Sequence, residues 1–132
     1  MVIQHRSLIV ARIVPDAVTR VAEIFAESDA TDLPMLAGVT RRELYALGDL
    51  YVHLLETEQP GANAIGAAQQ HPEFARVSSR LGEFISPYLA NWQSPADARA
   101  RMFYQWTPQA GPTLEIPNRS ASGTDTQWKA EK

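Results

Sequence analysis

The chain has no cysteine in its 132 residues, which removes disulfide staples, thiolate nucleophiles and cysteine-bound zinc from its possible chemistry. Histidine is also scarce, with three in all. No HxH or HExxH spacing occurs, so no metal centre is expected. GxGxxG, P-loop and GxSxG patterns are missing too, which leaves nucleotide-binding and serine-hydrolase readings without support. There is no surplus of positive charge: 12 Lys and Arg stand against 15 Asp and Glu, a net charge of -3. Nucleic acid is therefore not an expected partner. Long apolar runs are absent. The opening stretch carries the basic pair His5-Arg6, ends its apolar run at Pro15 and has no small-residue cleavage site, so a cytoplasmic protein without a membrane span is expected.

What is present is apolar residues at 45%, enough to fill one core. Residues 1–107 carry the periodic patterns and read as one domain. From Pro108 to Lys132 the chain turns to Pro, Gly, Ser, Thr and charged residues with few apolar anchors, Trp128 among them, and reads as a mobile tail or an arm ordered only by a partner.

Arg6 to Ile13 is aliphatic and β-branched, closed by Val14-Pro15-Asp16, and predicts a central strand. With Asp16 as N-cap, Val18, Val21, Ala22 and Phe25 fall at helical spacing, and the helix fades between Ser28 and Asp32. Gly38 to Glu58 predicts a β-hairpin turning at Gly48-Asp49. Gln59 to Gln70 predicts a loop and a small-residue helical piece. His71-Pro72 then restarts a helix, with Phe74, Val77, Leu81, Phe84 and Ile85 along one face. Met102 to Trp106 predicts the last strand. The succession β-α-β-β-α-β is the ferredoxin-like α+β plan, an antiparallel sheet with helices on one face. The other face then needs a partner, a ligand or water, so a homodimer or a cleft is expected.

A two-residue turn at Gly48-Asp49 pairs Leu44 with His53 and Arg42 with Leu55, making Arg42 and His53 diagonal neighbours on a face shared with Thr40 and Tyr51. The opposite face takes Val39, Arg41, Glu43, Tyr45, Val52 and Leu54. A three-residue turn would separate Arg42 from His53. Side by side, the two can bind an enolate or phenolate oxygen and move protons; the plainer alternative is a solvated or interface pair. Asp29 puts a carboxylate at a helix C-terminus, against the helix dipole, a placement explained by catalysis, by an ion pair with an arginine, or by a simple loop position. Tyr104 and Trp106 alternate on the last strand as pocket wall or core.

The blocks Ser7 to Arg12, Phe25 to Pro34, Gly38 to Arg42, Asp49 to Leu54, His71 to Phe74 and Phe103 to Trp106 together resemble the tetracenomycin-type aromatic polyketide cyclases. The resemblance covers nearly all of Ser7 to Thr107. It implies a ferredoxin-like homodimer, a dimeric α+β barrel, that acts without cofactor on an aromatic polyketide in a pocket between the sheet and the second helix. It also implies intramolecular aldol ring closure in an antibiotic or pigment pathway, with catalytic roles for Asp29, Arg42 and His53. Arg42 would bind an oxyanion, His53 would transfer protons, and Asp29 would orient one of them or take a proton. Tyr51, Thr40, Phe25, Phe84, Tyr104 and Trp106 would contact substrate. Where the family has a histidine before the aspartate, this chain has Ser28. The segment Trp92 to Ala98 looks like members closing a late, often fourth, ring of anthracycline-type skeletons. Two rival readings are a cofactor-free oxygenase of the dimeric α+β barrel type and a non-catalytic polyketide-binding module.

Overall fold

The structure, a computed structural model, describes residues 5–91, 93 and 95–114. It divides into two units, one ending at Ala100 and the other starting at Arg101.

In the first unit, strand β1 (His5–Ile13) leads through a 3-10 turn (Pro15–Ala17) into helix α1 (Val18–Asp29) and a short helix α2 (Leu33–Ala37). The hairpin of β2 (Val39–Leu47) and β3 (Leu50–Thr57) follows, then α3 (Gly61–Gln69), α4 (Pro72–Leu81) and two short strands, β4 (Ile85–Pro87) and β5 (Arg99–Ala100). The sheet order is β2-β3-β1-β4, with β5 also pairing to β1, and every pairing is antiparallel. This is the ferredoxin-like plan. Alternation sets the faces: Ser7, Ile9, Ala11 and Ile13 of β1 are buried together with Tyr51, His53, Leu55 and Thr57 of β3. Ala11, Ile13 and Tyr51 meet Ala17 and Val21 in the core, where Phe25, Leu44, Leu81, Phe84 and Ile85 pack against them.

Three expectations are corrected. Asp16 lies inside the 3-10 turn, and α1 begins at Val18 with Ala17 as its uncapped N-cap. Its buried stripe therefore runs through Ala17, Val21, Ile24 and Ser28, while Val18 and Ala22 are exposed. The second correction is α2, which fills a stretch between the first helix and the hairpin where no element was expected. Asp32-Leu33-Pro34 opens this helix with proline in its first turn, where a missing N–H costs no hydrogen bond. Third, the fourth sheet position is taken by two pieces, β4 against Ala11–Ile13 and β5 against Leu8–Ile9.

Residues 104–107, expected in that fourth position, form β6 (Tyr104–Thr107) of the second unit. They pair antiparallel with β7 (Gly111–Leu114). The β-propensity of the aromatic run is expressed, but a local hairpin closes with far less chain entropy than a return to β1. The hairpin spans the domain boundary expected at Thr107. Trp92 and Ser94, and the expected tail beyond residue 114 with Trp128, lie outside the described residues. No described helix is long and apolar enough to cross a membrane.

Candidate active site

A cavity of about 370 Å³ opens between the helix-facing side of the sheet and α1, α2, α3 and α4. That volume suits a small fused-ring molecule. Its walls are largely apolar: Ile9, Ala11 and Leu55 from the sheet, Leu33 and Ala37 from α2, Ala64 and Ala68 from α3, and Phe74 and Val77 from α4. Arg42, Tyr51, His53, Ser28, Ser78 and Gln93 bring polar atoms to the lining.

The turn at Gly48-Asp49 has the expected two-residue register, Leu47 with Leu50 and Leu44 with His53. Gly48 has φ +59°, a left-handed conformation that glycine adopts without the Cβ clash of other residues. Arg42 and His53 are thus diagonal neighbours on the cavity side. Arg42 Nη1 donates to His53 Nε2 at 3.1 Å, Nε donates to Asp29 Oδ2 at 3.0 Å and Nη2 to Oδ1 at 2.6 Å. The guanidinium lies over the Phe25 ring, 4.9 Å from its centroid, and Phe25 meets the His53 ring edge-on at 5.3 Å. Arg42 is therefore fixed by a bidentate carboxylate, an imidazole lone pair and an aromatic face. The ion pair also explains the carboxylate that Asp29 places at the end of α1.

Arg42 has only donors, so Nε2 of His53 must be the acceptor. The proton of the neutral ring then sits on Nδ1, which lies 3.4 Å from the Tyr51 hydroxyl. His53 is 7% exposed; burial, with the adjacent Arg42 charge adding to it, pushes its pKa down to about 3. The imidazole is accordingly neutral at physiological pH, with its basic nitrogen engaged. Burial likewise raises Tyr51 well above the ordinary phenol range, keeping the hydroxyl protonated.

Of the residues expected around a substrate, Phe25 and Tyr51 line the cavity alongside Arg42 and His53. Asp29 stands behind Arg42. Phe84 packs into the core instead, because α4 ends at Leu81 and Phe84 lies beyond its face. Thr40 is turned out of the site by a β-bulge between Val39 and Arg41: it is exposed, its hydroxyl donates to the Glu56 carbonyl at 3.2 Å, and Val39 lines the cavity in its place. Such an extra residue reverses the alternation on which the facing of Thr40 and Val39 was argued. Tyr104 and Trp106 stand exposed on the hairpin of the second unit. Sequence reasoning missed the walls supplied by α2 and α3; the Leu33-Pro34 start and the alanine- and glycine-rich run of 61–69 were their signals. Among the described residues, no three His, Asp or Glu side chains gather as a metal ion would require.

A ferredoxin-like sheet and its helices enclosing an apolar cavity, with a half-buried arginine on a buried histidine as its polar centre, define a class of small-molecule-binding α+β domain. A family model described as polyketide synthesis cyclase matches residues 5–107. Tetracenomycin F2 cyclase of Streptomyces glaucescens is 40% identical over 103 residues, covering 78% of this chain and 94% of that protein. Polyketide synthase CurG of Streptomyces cyaneus is 42% identical over 103 residues, with 77% and 96% covered. An uncharacterised protein of Streptomyces coelicolor reaches 49% over 104 residues, with 77% and 94% covered. A solved structure of tetracenomycin F2 cyclase, described as a type II polyketide cyclase, matches with a TM-score of 0.71, covering 78% of this chain and 97% of that one. The chain belongs to the polyketide synthesis cyclase family, of the tetracenomycin type.

Proposed function

We propose that this cyclase closes a late ring on an aromatic type II polyketide intermediate by intramolecular aldol condensation, in cytoplasmic antibiotic or pigment biosynthesis. A methylene between two carbonyls loses a proton, the resulting carbanion attacks a ketone of the same molecule, the alkoxide regains a proton, and water leaves as the ring becomes aromatic. Flanking carbonyls already acidify the methylene, so the protein's chief tasks are folding the chain and stabilising oxyanions.

The observation that carries this reading is the immobilised Arg42 at the wall of an apolar cavity. Three of its five N–H donors are engaged, two by Asp29 and one by His53, leaving two for an oxygen of the substrate. Asp29, with both carboxylate oxygens accepting from Arg42, orients it. His53 holds it through Nε2 and is in no position to serve as a strong base there. The same reading includes a homodimer in which a second copy covers the open sheet face.

The test is to incubate the purified protein, without added metal or cofactor, with an anthraquinone-type polyketide ester precursor under nitrogen and under air. Equal rates in both, with loss of water or a new chromophore at unchanged mass, are expected; a gain of oxygen only in air would make the protein an oxygenase. Binding with no acceleration over spontaneous closure would make it a carrier. Arg42→Ala should slow closure on the order of 10²–10³-fold, and an unchanged rate would remove Arg42 from the mechanism.

A further inference from the structure

We propose that the Tyr51 hydroxyl is the neutral donor that reaches the substrate, aimed by a single fixed tautomer of His53. This deepens the cyclase reading and rests on it for the reaction, though not for the geometry. Arg42 Nη1 lies 3.1 Å from Nε2 of His53, and a guanidinium offers hydrogens and no lone pair. Nε2 must therefore be bare and Nδ1 protonated. The Nδ1–H meets the Tyr51 oxygen at 3.4 Å. The reverse arrangement, with Tyr51 donating to Nδ1, would put a hydrogen on Nε2 directly against an Arg42 N–H.

Tyr51 accordingly accepts from His53, and its own hydrogen must go elsewhere. The side chain is 4% exposed and lines the same cavity as Arg42, so the hydrogen has the cavity's contents to serve. The chain Arg42 to His53 to Tyr51 donates in one direction throughout, and each bond polarises the next, strengthening the last O–H as a donor. In the proposed reaction this O–H bonds to the ketone oxygen under attack and tightens as the new carbon–carbon bond turns that oxygen into an alkoxide. No proton leaves the tyrosine. The proton the methylene loses balances the one the alkoxide gains, and the buried phenol remains un-ionised. Arg42 would hold the enolate oxygen while Tyr51 holds the ketone, one charged and one neutral donor for oxygens of different charge.

Two measurements decide it. Nitrogen-15 NMR of the ligand-free, full-length protein should show His53 as one neutral tautomer with Nδ1 protonated and Nε2 bare. Tyr51→Phe, which keeps the ring but leaves the buried His53 Nδ1–H without its acceptor, should lower kcat on the order of 10²-fold with KM within about threefold and a lowered thermal midpoint. An Nε2-protonated His53 overturns the proposal, as does a Tyr51→Phe enzyme with wild-type kcat. If that variant does not fold, 3-fluorotyrosine placed at position 51, a stronger donor, should raise kcat, and no change would overturn the proposal. A wild-type protein that closes no ring ends the cyclase reading instead; the NMR result then decides whether the donor chain exists.

Discussion

At the scale of single residues, His53 shows how surroundings reassign a side chain. Its spacing from Arg42 points to proton transfer near neutral pH, yet the contact with Arg42 occupies its basic nitrogen and burial lowers its pKa to about 3. This has a consequence for stability. The unfolded chain protonates the histidine near pH 6.5, while the folded protein resists until about pH 3. Between those values the unfolded state binds more protons, so stability falls as pH falls. The slope approaches about 1.4 kcal/mol per pH unit. Urea midpoints should therefore drop between pH 6.5 and 5, above the range where ordinary carboxylates titrate. His53→Gln, which has no such proton to refuse, should show a flatter profile; equal slopes would contradict the burial of a neutral imidazole. Asp29 shows the converse: its cost at a helix C-terminus was legible, and the structure supplies the reason as a bidentate bond from Arg42 thirteen residues away.

At the scale of elements, the cavity owes its space to α3, whose alanines and glycines leave room between helix and sheet. The helix is seated by a close approach. A Cβ on Gly61 would overlap the Ser7 hydroxyl on β1 and press on Arg99 Nη1. Gly61→Ala should therefore destabilise by about 1–3 kcal/mol, the usual cost of overpacking, and Ser7→Ala added to it should recover most of that loss. A Gly61→Ala protein as stable as wild type would show that α3 can move away from β1. The β2-β3 hairpin was readable in the sequence down to the pairing of Leu44 with His53, because Gly48-Asp49 specifies the turn and alternation does the rest. The bulge at Thr40 was not readable, since nothing local distinguishes an extra residue from a regular one. Thr40 and Val39 consequently exchanged faces. The fourth strand failed for a related reason: propensity marks 104–106 as extended but does not say with which strand they pair.

At the scale of the molecule, the outer face of the sheet carries half-buried Val10, Val52 and Leu54 and exposed Leu8, Tyr45 and Leu47. One end of that face is a charge-compensated set, Arg6 with Glu56 at 2.7 Å and Arg41 with Glu43 at 2.6 Å. An apolar strip edged by paired charges suits a second copy of the same surface. Light scattering should give twice the chain mass, and Leu54→Arg should return the protein to monomer; a wild-type monomer would rule out the proposed homodimer. The sequence by itself determined β1, α1, the β2-β3 hairpin with its register, α4 and the family, because these follow from period, turn chemistry and motif spacing along the chain. Tertiary structure alone decided which strands complete the sheet, which helices wall the cavity and which nitrogen of His53 is left to act. Each of these depends on groups distant in sequence meeting in space, and on what burial then does to their protons.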